Sequence, residues 1–529
     1  MLTDLQNNLI GRVAIGDIFR RRALASPNKE AIVEKRDDVY IRYTFKEFNC
    51  ELNRFVRAAR SLGLEKGDRI ALLGPNSVEY LIALYGCAKG GFVAVPINPG
   101  LALDDIIYIL EHAEVRALVA DDALQPIVDR IVGETPTVRH FIVMPVTQQQ
   151  STAAPFINFK EFIQGQVDDE VEDVIISDGD TFEILYTSGT TANPKGVMIT
   201  HLAVFIMSLT NLIEWKVFRE HVGTTLMPVF HCAQQTFTTS YAHVGAKTVV
   251  FRGFDPTVML EAIEREKIGV IFCLPAMYRA MIDHPRLKEF DLSSLDRCIY
   301  AMTPMDKRTL ERAIEAFGAD FMLATGQTEF FPSTNTFRPE WQLIKQGNYW
   351  GDSALTVDTA VMDESGKLLP PGQTGEIVWR GPAMMKGYLK NPQATEESRG
   401  YSWHHSGDLG YVDEDGLLVF VDRKKDMIKT GGENVPSIKV ERVILGDPRV
   451  EAVAVIGLPH DRWVEAVTAF VKPKSGADLK EEDIIGLCKK ELGGFEVPKK
   501  VVLVDDLPKT STGKLQKHVL RRNYQSLYG

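Results

Sequence analysis

Tyr186-Thr187-Ser188-Gly189-Thr190-Thr191-Ala192-Asn193-Pro194-Lys195-Gly196 follows directly on Phe182-Glu183-Ile184-Leu185, a run that reads as a strand. The stretch gathers the hydroxyls of Thr187, Ser188, Thr190 and Thr191 with two glycines and a lysine. Glycine lets backbone N–H groups converge on an anion, hydroxyls donate to phosphate oxygens, and lysine adds positive charge. No Gly-Lys-Ser/Thr closes the stretch, so it is not a Walker A loop. Alone, a Ser/Thr/Gly-rich loop is most often only a loop. Its place after a strand, in a chain that alternates helix and strand, makes it a candidate phosphate cradle.

The alternation is clearest upstream. Thr44-Phe45-Lys46-Glu47 forms a capping box. Behind it Phe48, Leu52, Phe55, Val56, Ala59 and Leu62 recur at helical spacing, and Gly63 is placed to stop the helix. Strands are expected at Asp68–Gly74, 92–98 and 116–120, with helices near Val78–Lys89 and Asp104–His112. This order implies parallel sheets with helices on both faces, an α/β class. Between about 145 and 180 the pattern dissolves into QQQSTAAP and the acidic DDEVED, read here as a solvated surface excursion. The last hundred or so residues read as a small separate module, with strands in VEAVAVIGLPH and VTAFVKP and an amphipathic helix in KEEDIIGLCKKEL.

Composition bounds the function. The 529 residues carry 60 Lys and Arg against 71 Asp and Glu, a formal charge of −11, which argues against a general nucleic-acid or anionic-membrane binder. Six cysteines form no CxxC pair, so neither a zinc framework nor a secreted disulfide scaffold is indicated. With no signal peptide and no spanning apolar segment in view, the cytoplasm is the expected address.

Residues 186–196 match the signature loop of the adenylate-forming superfamily, which includes acyl-CoA synthetases, luciferases and the adenylation domains of peptide synthetases. Only Ala192 departs, standing for a glycine. Further matches follow in family order: Pro228–His231, Gly326–Glu329, Ser406–Leu409, Asp422–Asp426, Gly431–Val435 and Pro508–Lys514. On these motifs the chain resembles an AMP-forming acyl-CoA synthetase. The resemblance implies a large N-terminal domain of stacked sheets with flanking helices (1–422) and a small mobile C-terminal α+β lid (423–529), hinged near Lys425.

The chemistry it implies uses ATP, Mg²⁺ and coenzyme A: a carboxylic acid becomes an acyl-adenylate with release of pyrophosphate, and the thiol then displaces AMP. Thr187, Ser188, Gly189, Thr190, Thr191 and Lys195 resemble the phosphate cradle. Thr325, Gly326 and Gln327 lead to Thr328, the hydroxyl on the α-phosphate, and Glu329, the carboxylate that holds the metal. Asp408 resembles the ribose-binding aspartate, Arg423 a second nucleotide contact, and Lys514 the mobile lysine of adenylation. Gly431, Gly432, Glu433 and Asn434 resemble the loop that meets the pantetheine arm. His231 matches a position beside the substrate carboxylate. Phe230, Met302, Thr303, Phe330 and Trp350 are the acyl-pocket candidates.

Three departures stand out. Thr325 replaces an aromatic that often stacks on adenine, with Tyr300 as a substitute. Ala301-Met302-Thr303-Pro304 replaces a glycine-rich segment, and Pro436-Ser437-Ile438-Lys439 replaces an aromatic-Pro-x-Glu after the glycine loop. No aspartate accompanies Pro228–His231, which weakens an amino-acid substrate. Phe230, Met302, Phe330 and Phe331 favour an apolar acid, fatty or related. Tyr349 and Trp350 either shorten the acyl tunnel, favouring short, branched or hydroxylated acids, or simply pack. Other readings stay open: an aromatic acid, transfer to a carrier protein, oxidative light emission, or a degenerate nucleotide binder. A homodimer is allowed.

Overall fold

The computed structural model describes residues 2–37, 39–147, 155–187, 193–301, 305–345, 347–509 and 515–528. Residues 1–359 with 379–402 form one compact unit, and 360–378 with 403–529 a second. The class is mixed α/β, with a large sheet-rich unit and a smaller C-terminal one. The boundary expected at 422/423 falls inside the second unit, at the end of the strand Leu418–Arg423.

Among the described residues the first unit draws on three sheets. The largest runs Gly387–Tyr388, Lys195–Thr200, Thr181–Thr187, Val93–Ile97, Arg69–Leu73, Val115–Asp121, His140–Met144 and Phe156–Asn158 in spatial order. Its strands are parallel from Thr181–Thr187 to the far edge. They turn antiparallel at Lys195–Thr200 and Gly387–Tyr388. A second group, Val270–Cys273, Arg297–Tyr300 and Asp320–Gly326, is parallel and continues antiparallel into Ser333–Phe337 and Tyr349–Ser353. The third sheet joins Val222–Thr225, Lys247–Val250, Glu30–Arg36 and Val39–Thr44.

Local signals act as expected. Thr44 caps the helix Phe45–Ser61 in a reciprocal box with Glu47, and Gly63 stands at φ 78° beyond its end. The stripe Phe48, Leu52, Phe55, Val56 and Ala59 is buried, each large side chain contributing about 2–3 kcal/mol. It packs on the helix Val78–Gly90, where a Cβ at Gly86 would lie 2.4 Å from the Phe55 ring.

The region 145–180 departs from expectation. Phe156–Asn158 adds an edge strand and Phe159–Gln164 a helix capped by Asn158. The acidic run lies on the surface, as expected, and is also tied down as a strap. Asp168 pairs with Arg54 at 2.6 Å, the Asp169 carbonyl accepts from Arg57, and Asp173 pairs with Arg60 at 2.8 Å. Glu170 meets Lys89, whose side chain is 0% exposed, at 2.6 Å. Further along, Arg12 donates to the Val174 carbonyl and bridges to Asp17 at 2.8 Å, while Asn8 exchanges two hydrogen bonds with the Ile176 backbone. These partners lie far away along the chain, so no local pattern announces them.

Glu183, on Thr181–Thr187, is wholly buried, and the Gln235 side chain lies beside its carboxyl, too loosely placed for a well-formed hydrogen bond. Burial pushes its pKa up to about 8, offset in part by the Gln235 side chain.

In the second unit Val464–Pro473 pairs antiparallel with Val450–His460 and parallel with Lys500–Leu503. Val453 and Val455 point to one core, and Ala454, Ile456 and Leu458 to another. Covered faces on both sides explain the unbroken apolar run seen in the sequence.

Candidate active site

The phosphate-loop stretch starts at the end of the strand Thr181–Thr187 and finishes at the start of the strand Lys195–Thr200. Thr187 pairs with Lys195 and Tyr186 with Gly196 in an antiparallel ladder. A Cβ at Gly196 would lie 2.9 Å from Ile184, so the pairing needs glycine there. Ser188, Gly189, Thr190 and Thr191 lie outside the described residues, as do Met302, Thr303 and Lys514.

Thr328–Phe330 forms a single 3₁₀ turn after Asp320–Gly326. Gly326 is required by space: a Cβ there would sit 1.5 Å from the Pro332 carbonyl oxygen. Gln327 donates its N–H to that same carbonyl at 3.0 Å, closing the turn that presents Thr328 and Glu329. Thr325 sits beside a register shift in the ladder with Ser333–Phe337. Tyr300 is buried with its hydroxyl on Gln342 at 2.6 Å, which commits it to packing instead of stacking on a base.

Glu329 and Lys195 converge on a residue the sequence reading did not single out. The Tyr388 hydroxyl donates to Glu329 Oε1 at 2.9 Å, and the Lys195 Nζ lies 5.0 Å from its ring centroid. Burial, with the Glu329 charge adding, holds the phenol far above its ordinary pKa, so it stays a donor. Tyr388 occupies a two-residue strand in a segment without periodicity, and no local signal marks it.

His231 stands at the position just before the helix Cys232–Val244, and Cys232 Sγ lies 3.6 Å from Thr328 Oγ1, which joins this corner to the Thr328 turn. The approach to His231 is held by side chains. Asn76 donates to the Met227 carbonyl and accepts from the Val229 N–H, both at 2.9 Å. Gln234 accepts from the Met227 N–H, and Gln235 donates to the Val229 carbonyl. Buried loop backbone needs such partners.

Phe230 lies against His231, ring centroids 4.8 Å apart. Phe330 is buried edge-on to Trp379, and Trp350 stacks on the same indole at 6.4 Å. Two acyl candidates thus share one aromatic cluster, while Phe230 stays with His231.

The second unit holds the remaining candidates. Asp408 and Arg423 are opposite each other across the antiparallel strands His404–Val412 and Leu418–Arg423, with Arg423 Nε 3.8 Å from Asp408 Oδ1. Asp408 is buried; Arg423 is exposed. Ser406 accepts from the Asp408 N–H and donates to the Ile377 carbonyl, fixing the turn. Lys425 lies in a turn closed by the Asp426 and Met427 N–H groups on the Arg423 carbonyl. Asp422 accepts from Ser437 and, through it, meets Lys517, which also pairs with Glu441 at 2.7 Å. Ser437, one of the departures from the family pattern, is therefore a buried anchor.

Gly431 and Gly432 (φ 60° and 89°) form the two-residue turn between Ile428–Thr430 and Glu433–Val435, a conformation glycine adopts without penalty. Glu433 and Asn434 are exposed on the edge strand. Trp463 packs under Gly431, and Arg462 and Lys499 lie 4.5 and 5.4 Å from its ring.

Among the described residues no group of three or more His, Cys, Asp or Glu is placed to hold a metal, and no helix is long and apolar enough to cross a membrane. One carboxylate, Glu329, fits Mg²⁺, which takes one or two protein carboxylates and completes its shell with phosphate oxygens and water.

A model of the AMP-binding enzyme family matches residues 19–389, and one of the AMP-binding enzyme C-terminal domain matches 439–514. A feruloyl-CoA synthase of Amycolatopsis sp is 33% identical over 95% of this chain and 98% of its own. A long-chain-fatty-acid–CoA ligase of Mycobacterium tuberculosis is 33% identical over 97% and 99%. Among solved structures, ATP-bound MatB from Rhodopseudomonas palustris superposes with a TM-score of 0.86 at 27% identity, covering 97% of this chain and all of that one.

Proposed function

Because the chain belongs to the AMP-binding enzyme family of adenylate-forming acyl-CoA ligases, we propose that it joins a fatty or related apolar carboxylic acid to coenzyme A. The observation that carries the reading is the meeting of Lys195, Glu329 and Thr328 in one corner with His231, through Tyr388 and Cys232. Lysine and hydroxyls suit the phosphates of ATP, and the carboxylate suits their metal. The relatives' named acids range from ferulate to long-chain fatty acids; Phe230, Phe330 and Trp350 favour the apolar end.

In the first half-reaction Thr187 and Lys195 hold the β- and γ-phosphates, and Thr328 holds the α-phosphate while the acid's carboxylate attacks it in line. Pyrophosphate leaves. Mg²⁺ on Glu329, when bound, neutralises phosphate charge that would repel the incoming carboxylate. His231 orients that carboxylate. Asp408 accepts from the ribose hydroxyls, with Arg423 beside it, and Lys514 bridges the carboxylate and α-phosphate. In the second half-reaction the module from residue 423 turns at Lys425, withdrawing Lys514 and presenting Gly431–Asn434 to the pantetheine arm. Trp463, Arg462 and Lys499 supply an aromatic face and positive charge for the rest of coenzyme A. All six cysteines are free thiols, five of them buried, in keeping with a cytoplasmic protein.

The test is a panel of straight, branched, hydroxylated and aromatic acids with ATP, Mg²⁺ and coenzyme A, scored for AMP and thioester by mass spectrometry. A thioester with an optimum among apolar acids supports the proposal. Acyl-adenylate without thioester points to a carrier protein, and absence of pyrophosphate release refutes the ligase. Gel filtration decides the dimer.

A further inference from the structure

We propose that Tyr388 is a positioning residue that holds Glu329 and Lys195 apart and aimed, so that each meets its own part of magnesium-bound ATP. This rests on the functional reading above, which assigns Glu329 to the metal and Lys195 to the phosphates. Among the described residues neither side chain has an ion-pair partner, although the same tyrosine contacts both. A carboxylate and an ammonium near each other in a cleft attract strongly, and closing on one another would withdraw both from the nucleotide. The phenol touches both as a neutral group with two different contact points. Its hydroxyl occupies Oε1 of Glu329 and leaves Oε2 for a cation. Its ring offers Lys195 a cation–π contact, weak enough to be exchanged for a phosphate.

The backbone around Tyr388 is tied to both partners' elements. The Met385 N–H donates to the Glu329 carbonyl at 2.7 Å, and the Leu389 N–H to the Gly196 carbonyl at 2.8 Å. The Tyr388 N–H donates to Thr395 Oγ1 at 2.9 Å. These bonds anchor the Tyr388 backbone to both the Glu329 turn and the Lys195 strand.

The experiment is titration calorimetry of ATP into the full-length protein without acid, once with Mg²⁺ and once with EDTA. Tyr388→Phe keeps the ring and removes the donor; Tyr388→Leu removes both. The phenylalanine variant should bind magnesium-ATP about tenfold more weakly, the loss expected for one hydrogen bond to a charged group, while metal-free ATP binds within about twofold of wild type. The leucine variant should weaken both forms. Equal weakening of both forms in Tyr388→Phe, or no weakening, overturns the proposal, since a merely structural role does not discriminate metal. Glu329→Gln is the control. If it retains the wild-type gap between the magnesium and EDTA titrations, the metal assignment falls and the proposal with it. If it loses the gap while Tyr388→Phe is unaffected, the tyrosine proposal alone fails.

Discussion

Replacing Glu183 by glutamine should make the first unit more stable at neutral pH, and by an amount that grows with pH. The carboxyl is wholly buried, its two oxygens make no well-formed hydrogen bond, and burial raises its pKa from 4.5 to about 8 despite the nearby Gln235 side chain. A group whose folded pKa lies above its unfolded value holds its proton more tightly when folded. Its contribution is therefore complete below pH 4.5 and is lost as pH rises to about 8. At about 1.4 kcal/mol per pH unit, the wild type gives up about 3 kcal/mol by neutral pH and about 5 kcal/mol over the whole window. Glutamine keeps the shape and stays neutral, so it lacks that slope. Urea unfolding of both proteins, at pH values stepped by about one unit from about 5 to about 8, reads the difference from the midpoints. The curves should diverge steadily as pH rises. Parallel curves would show that Glu183 does not titrate in this window. A variant less stable throughout would show that the carboxyl has a partner that glutamine cannot replace.

Lys514→Ala should lower acyl-adenylate formation on the order of a hundredfold or more while thioester formation from preformed acyl-AMP persists; equal loss of both half-reactions contradicts its assignment. Gly326→Ala drives a methyl to within 1.5 Å of the Pro332 carbonyl, so the Thr328 turn must open. The expected cost is about 1–3 kcal/mol, with loss of adenylation, visible in thermal melts and in pyrophosphate release. Glu170→Ala strands the buried Lys89 ammonium and should cost about 3 kcal/mol in urea unfolding; a neutral result would mean that Asn49, which accepts from Lys89 at 2.6 Å, suffices.

The sequence was most readable where structure is made by neighbours. The Thr44–Glu47 box, the stripe from Phe48 to Ala59 and the strand before Thr187 all depend on residues a few positions apart, and each appears as read. The candidate site was readable as motifs, yet its assembly was not. Tyr388 reaches Glu329 across 59 residues of sequence, and Asn76 supports Val229 across 153, so neither leaves a periodic trace. The acidic run was legible as surface but its ties were not, because only the fold brings Arg54, Arg60 and Lys89 to it. Tyr300 failed as an adenine face because its burial and its bond to Gln342 follow from the packing of Arg297–Tyr300.

The strap also bears on where this domain physically starts. The family match opens at residue 19, but the Val174 carbonyl, the Ile176 backbone and the Asp17 carboxylate depend on Arg12 and Asn8. A protein trimmed to the matched segment would remove these partners and leave Val174 and Ile176, which are buried, with unpaired peptide groups at the rim of the core. The boundary that similarity draws and the boundary that hydrogen bonding draws thus differ by about ten residues. A shortened version for expression or domain exchange should keep the chain from Asn8 onward.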